Sequence, residues 1–446
     1  VIERRQFLKA AGFGAAALAV GPLAAACSSS KGSAKSTLSA EPSNVTGHVS
    51  LGFFGASDIV KAWTPIFADF RRTHPGITLD AVPVPAATWT AYADSVILQM
   101  AGGREFDVVQ AAVNVQQLFV GKGVVEQLDP YIERDKAELS DYFADENAKF
   151  LHWNTSLVSR GKGTFYLPAD YNTYCAWVNT EMFRDAGVPI PEDGWTWDDL
   201  MAAGAKICDS PGKYLINVDP TDMFFFQPWA LTNGGTLLSA DWTKSTLADP
   251  RTIEAAAFAQ SLCQKGYSPK PGGSFDSVTE FAQNKLAIFG CGMWLNPSLK
   301  AAGAANKAKI VAWPQKTQKG TSVGWNAYPI MKKSKNKEAA WAFVKYLASK
   351  PAVQNLAKTG QATPGRKSVF FADLPAAAPE HGLDELWNSV DYATPVPSPQ
   401  AADAINTAII KTLTQLYSSS SDAATLMKAL DKEVAGYLKS GGNGGG

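Results

Sequence analysis

The run VSLGFFGA, Val49 to Ala56, alternates apolar and small residues and predicts a first strand. Ser57-Asp58 then offers a helix cap, and Ile59 to Arg72 carries helical periodicity. ITLDAVPVP (Ile77–Pro85) predicts a second strand, and Trp89 to Ala101 a helix stopped by Gly102-Gly103. FDVVQAA (Phe106–Ala112) predicts a third strand, followed by a helix from Val115 to Gly121. Strands alternating with helices imply an α/β unit with a mainly parallel sheet. Ligands bind such sheets outside the carboxyl ends of their strands. Phe54 to Asp58 and Gln110 to Asn114 are therefore placed at the mouth of a first lobe.

A second alternating run follows. Thr173 to Gly187 predicts a strand and a short helix, and Thr196 caps a helix from Leu200 to Cys208. Phe224 to Leu238 is helical up to Gly234-Gly235, and Asp249-Pro250-Arg251 opens a helix running to Gln264. LAIFGCGMW (Leu286–Trp294) and SVGWNAYPIM (Ser322–Met331) predict strands. Asn336 to Ser349 is an amphipathic helix, and one long helical tail is expected from Ala401 to Leu438. No repeat of fixed period is present. Between the strand-like runs Thr164–Leu167 and Thr173–Val178 sits Pro168-Ala169-Asp170-Tyr171-Asn172, whose proline and polar residues break the apolar pattern.

Composition narrows the classes. The 446 residues exceed one small core and imply two to three domains. A formal net charge of +0 argues against nucleic acid, whose phosphates require a basic excess. It argues equally against steering of a strongly charged ligand. Aromatic residues make up 11%, with 13 Trp, several beside Gly, Asn and Pro where loops are expected.

The first 26 residues have a basic start, an apolar run from Ala10 to Ala26 and small residues before Cys27, the anatomy of an export signal. The run is mostly Ala and falls short of the ~20 strongly apolar residues of a spanning helix. Arg4-Arg5 followed by Gln6-Phe7-Leu8-Lys9 resembles a twin-arginine signal. Leu23 to Cys27 resembles a bacterial lipobox, although its Leu lies one place farther from the cysteine than usual. An ordinary cleaved signal without lipid is the alternative. Cys27 is thus the expected lipidation point, and the Ser/Gly/Ala/Lys-rich stretch after it a flexible tether. Gly12-Phe13-Gly14-Ala15-Ala16-Ala17 fits a dinucleotide-binding pattern but follows no strand and lies inside the signal. Four cysteines remain: Cys175, Cys208, Cys263 and Cys291. None has zinc-site spacing. Cys208 and Cys263, both near predicted helix ends, are the favoured disulfide pair, with four buried thiols as the alternative.

Phe106–Ile132, Tyr166–Leu200, Trp229–Leu238, Phe281–Leu295, Gly324–Ser349 and Thr359–Val369 together resemble, in order and spacing, extracellular solute-binding proteins of ABC importers. The resemblance is to the sugar-specific, maltose-binding-like branch. It covers essentially the chain after Cys27, and no single motif in it is diagnostic. It implies two α/β lobes joined by crossing strands, with sugar held in the cleft, a membrane ABC permease as partner, a monomer and no cofactor. The implied limits are residues 1–26 for the signal, 27–46 for the tether and 441–446 for a disordered tail. Lobe 1 is 47–169 with 322–365, and lobe 2 is 170–321 with 366–440. On this reading Pro168 to Asn172 is where the chain changes lobes and lines the site.

A pyranose offers C–H faces to aromatic plates and hydroxyls to Asp, Asn, Gln and Arg. Trp229, Trp294 and Trp325, each beside glycine-containing turns, are the candidate plates. Asp170, Tyr171 and Asn172 come from the crossing segment, and Arg366 matches a family position that often reaches sugar. Phe54, Ser57, Asp58, Gln110, Asn114 and Asn326 complete the set, with helix capping as the alternative for Ser57 and Asp58. Trp63, Trp177, Trp195, Trp197 and Trp341 are assigned to packing, and Asp107 to a structural role.

Enzymatic readings fit less well. Gly320-Thr321-Ser322-Val323-Gly324 matches a nucleophile elbow but precedes a strand instead of following one, and His381 precedes Asp384 in the wrong order. The histidines His48, His74, His152 and His381 lack metal-ligand spacing. A glycosidase needs two carboxylates ~5–10 Å apart; Asp58 and Asp170 are the pair a closed cleft could bring together. A peptide or polyamine receptor is the remaining alternative, though no acidic cluster at strand ends supports a polyamine.

Overall fold

The computed structural model describes residue 38 and residues 44–86, 88–272, 275–376 and 381–442, without the side chains of residues 58, 59 and 62. The export signal, Cys27, most of the tether and residues 443–446 lie outside the described residues. From Leu38 onward the chain forms one compact unit. Its strands are β1 (Gly47–Phe54), β2 (Ile77–Val84), β3 (Val108–Val109), β4 (Ala111–Ala112), β5 (Pro168–Thr173), β6 (Cys175–Asn179), β7 (Tyr214–Ile216), β8 (Leu286–Cys291), β9 (Ala308–Val311), β10 (Thr321–Ala327), β11 (Thr363–Pro364) and β12 (Ala393–Pro395).

The first lobe is built on the parallel sheet β2-β1-β3. Val49, Leu51 and Phe53 alternate along β1 into a core shared with Ile66, Phe67 and Phe70 of the helix Thr64–Thr73 and Trp341 and Phe343 of the helix Lys337–Ala348. Asp107 is structural, as expected. It accepts from Ser50 N at 2.9 Å and Ser334 Oγ at 2.6 Å, tying β1 to the chain after β10. The second lobe is built on β7-β8-β6-β9, in which β7–β8 is the parallel pair. A third sheet, β11-β5-β10-β12, stands between them, with β4 paired to one end of β10. After β5 a single residue, Tyr174, separates the central sheet from β6 of the second lobe. This is the two-lobe α/β architecture expected from the sequence.

Three local expectations change. Pro168–Thr173 is itself a strand, whereas Thr164–Leu167 is not. Its backbone is extended because β10 and β11 pair with it on both sides, and Pro168 takes the first position, where a missing N–H costs least. The first predicted helix divides into Ser57–Ala62 and Thr64–Thr73 at Trp63, with Pro65 starting the second piece. The tail divides into Ala402–Ser418 and Ala423–Gly442, because the intervening serines and Asp422 favour caps over helix interior. The cap of Thr196 is as expected, with Asp199 completing a capping box.

The four cysteines after Cys27 are free thiols in this structure, the expected Cys208–Cys263 pair among them. Cys208 caps the end of the helix Trp197–Ile207, while Cys263 sits within the helix Pro250–Gln264 with its Sγ directed at Pro269 O, 4.0 Å away. Burial pushes both thiols up to about 11.

Candidate ligand-binding site

A cavity of about 830 Å³ opens where the central sheet meets both lobes. Its floor is the strand pair β5–β10. Side chains alternate along β5, and residues opposite one another in an antiparallel pair share a face. Asp170 therefore lies beside Asn326, and Asn172 opposite Gly324; all four line the cavity. Tyr171 and Trp325 pair with each other on the reverse face.

Asp170 is the most unusual group of the floor. It is 2% exposed, and its Oδ1 accepts from Asn326 Nδ2 at 2.6 Å. Its Oδ2 is buried with no hydrogen-bond partner. Desolvation, against which the Asn326 bond works, pushes its pKa up to about 6. Asn172 accepts from Met293 N at 2.8 Å and so fixes the turn carrying Trp294. A Cβ on Gly292 would come within 2.4 Å of the Trp294 ring and 2.6 Å of Asn172 Oδ1. The glycine therefore makes room for protein side chains.

Each lobe adds an aromatic wall. From the first come Phe54 and Trp89, stacked with ring centres 4.2 Å apart and planes 22° apart. Gln110 and Asn114 line the same side, and Gln110 Oε1 accepts from Phe54 N at 3.2 Å, holding that strand end. From the second come Trp294, 37% exposed, and Phe224, which meets it edge-on at 6.0 Å. Asp222 also lines the cavity, but its carboxylate is committed. It accepts from Phe224 N at 2.8 Å as a helix cap and from Asn406 Nδ2 at 3.3 Å. Burial raises its pKa too. Among the described lining residues there is no Lys, Arg or His.

The structure thus gathers Phe54, Gln110, Asn114, Asp170, Asn172, Trp294 and Asn326 around one space. The other candidates do not join them as imagined. Trp325 borders the cavity from its strand, but its ring is buried and packs on Trp153 (5.9 Å) and Phe150 (5.8 Å). Trp229 is a core ring among Trp197, Phe258 and Trp313. Tyr171 faces the opposite side and donates to Leu386 O at 3.1 Å. Arg366 is 2% exposed and grips Asp145 (2.9 Å), Asp141 (2.5 Å) and the carbonyl of Ala348 (3.1 Å), away from the cavity. Ser57 is exposed, does not line the cavity and caps nothing. The side chain of Asp58 lies outside the described residues.

Trp89, Phe224, Asp222 and Asn406 were missed. The first two sit in the first turns of helices at lobe edges, where periodicity reads them as packing. The rule that placed Phe54 at a strand end applies equally to Trp89, five residues after β2. Trp63, assigned to packing, is buried as expected yet also borders the cavity.

The sequence profile of the bacterial extracellular solute-binding proteins matches residues 56–354. The chain belongs to this family. A binding protein of Brucella abortus (strain 2308) is 26% identical to this solute-binding protein over 293 residues, covering 63% of this chain and 67% of that one. An ABC substrate-binding protein from Listeria monocytogenes, in complex with cycloalternan, superposes with a TM-score of 0.77 at 21% identity, covering 87% of this chain and 98% of that one. An ABC-transporter solute-binding protein from Thermotoga lettingae, bound with α-D-tagatose, gives 0.76 at 21% identity, covering 88% and 100%. These likenesses show the fold that this solute-binding protein shares with them. No described helix is long and apolar enough to cross a membrane.

Proposed function

We propose that this protein is the carbohydrate receptor of an ABC importer, trapping a mono- or oligosaccharide between its lobes and delivering it to a membrane permease. One observation carries the reading: aromatic surfaces from both lobes share a cavity whose floor presents a buried carboxylate with an unused oxygen. Trp294 and the Phe54–Trp89 stack suit sugar C–H faces, and Asp170 Oδ2, Asn172, Asn326 and Gln110 suit hydroxyls. The absence of cations among the described lining residues favours neutral solutes over phosphorylated or acidic ones. The sugars bound by the structural relatives agree with this choice. We read the site as non-catalytic, because the second lining carboxylate, Asp222, is engaged at both oxygens.

The finer parts of the reading rest on sequence. They are the twin-arginine signal, lipidation at Cys27 on the outer face of the membrane, the monomeric state and the lobe limits 47–169 with 322–365 and 170–321 with 366–440.

The test is titration of the purified protein with neutral, acidic and amino sugars while following tryptophan fluorescence. A saturable response to a neutral sugar is expected. Trp294→Ala should weaken it at least tenfold with little loss of melting temperature, since that ring is partly exposed. Trp229→Ala should instead unfold the protein at lower temperature, by about 3–5 kcal/mol of lost packing. Silence towards every sugar, or sugar released from a glycoside, would overturn the proposal.

A further inference from the structure

Cys175 on β6 and Cys291 at the end of β8 are directly opposite one another in an antiparallel ladder. Residues so paired have Cα atoms about 4.5 or 5.5 Å apart, depending on the hydrogen-bonding position. Both spacings lie inside the roughly 4.4–6.8 Å that a disulfide spans. Opposed residues share a face, and the two thiols are buried in one apolar cluster with Trp177, Phe289 and Met293. Each is a free thiol in the structure. Burial pushes Cys175 up to about 12 and Cys291 well above its usual value, with the neighbouring Cys175 adding to the second shift.

We propose that Cys175 and Cys291 form a cross-strand disulfide in the exported protein. Membership of an extracellular family places the chain in a compartment where such bonds persist. The oxidant is an external disulfide, either a thiol–disulfide oxidoreductase or oxidised glutathione. One cysteine thiolate attacks the external S–S bond, giving a mixed disulfide and one free external thiolate. The second cysteine thiolate then displaces the other external sulfur. One protein S–S bond forms, two thiol protons are lost, and the external disulfide is reduced to two thiols. Burial keeps both groups protonated and shielded in the folded state, so the exchange belongs to folding, before β6 and β8 close over them.

The bond would act on the cleft. Cys175 lies three residues after Asn172 of the floor, and Cys291 three residues before Trp294 of the wall. Asn172 already holds Met293 N at 2.8 Å. A covalent link beside that hydrogen bond fixes the turn that carries Trp294 to the start of β6, two residues beyond the end of β5. It also closes a long chain segment, the case in which cross-linking constrains the unfolded state most.

The test uses the whole chain after the signal, reduced and unfolded, then refolded in a glutathione redox buffer, alkylated and mapped without reduction by mass spectrometry. Expected are one linked peptide pair carrying Cys175 and Cys291, and alkylation confined to Cys208, Cys263 and an unlipidated Cys27. Alkylation of both Cys175 and Cys291, or a Cys208–Cys263 link, overturns the proposal. In a second measurement, reductant should lower the melting temperature of the refolded protein by roughly 5 °C or more. The Cys175→Ala/Cys291→Ala variant should show no such response. An equal response in that variant also overturns the proposal, and the peptide map stands whether or not the variant folds.

Discussion

Asp170 holds a carboxyl group where water cannot solvate its charge, and only one of its oxygens finds a partner. Its folded pKa, about 6, lies above the unfolded 3.8, so the folded state binds more protons across that interval. The favourable contribution of the neutral acid is complete below the unfolded value and is lost as pH rises through 6. In the ligand-free protein this is on the order of 3 kcal/mol. A sugar hydroxyl donating to Oδ2 favours the ionised form, so binding should expel a proton. With a free-state pKa of about 6, affinity should then be about fivefold higher at pH 7 than at pH 5 when ligand lowers the pKa by one unit, approaching a ceiling of about tenfold for larger shifts. Calorimetry in buffers of different ionisation enthalpy would register the proton. Its ionisable neighbours Glu146 and Tyr328 are both pushed up by burial, Glu146 against the pull of the Arg366 charge. Asp170→Asn should flatten the profile; an unchanged profile would place the ligand elsewhere.

Strand β5 shows how one element divides its labour. Its even-numbered residues Asp170 and Asn172 face ligand space, while Tyr171 and its partner Trp325 seal the reverse side. Arg366 follows β11, the other neighbour of β5, and clamps the helix Ser140–Asp145 against that edge. Arg366→Met should lower stability by about 3 kcal/mol, at the lower end for a broken buried ion pair because Asp141 is largely exposed. Sugar affinity of the folded fraction should be unchanged, and chemical denaturation with ligand titration separates the two effects. A loss of affinity without loss of stability would return Arg366 to the binding site. The elements were legible where local period and burial agreed, as in β1, β2 and the helix Trp89–Ala101. They were not where partners distant in sequence decide. Pro168 to Thr173 looks irregular alone and becomes a strand through β10, some 150 residues later. Arg366 looks like a free ligand hook because Asp141 and Asp145 lie more than 220 positions away. Trp294 and Trp229 read alike as tryptophans near glycine, and tertiary packing alone separates them.

At the scale of the molecule, the central sheet is what both lobes have in common, and a ligand touching both aromatic walls is bound best when they approach. Saturating sugar should therefore reduce the radius of gyration in small-angle scattering. At a hundredfold excess over Kd it should add about 2.7 kcal/mol of stability. Thermal stabilisation without compaction would mean a cleft already closed in the free protein. The placement of the lobes as one α/β pair was legible from the two alternating runs; the three-sheet arrangement was not, because β4, β11 and β12 are two or three residues long and carry no period of their own.

The pairing of β5 with β10 also bears on how the chain is made. Until residue 321 has left the ribosome, β5 exposes the edge that β10 will cover, and Asp170 has no Asn326 to meet. The floor of the pocket is thus among the last parts to be assembled, and so is the core under the first sheet, which waits for Trp341 and Phe343 of the helix Lys337–Ala348.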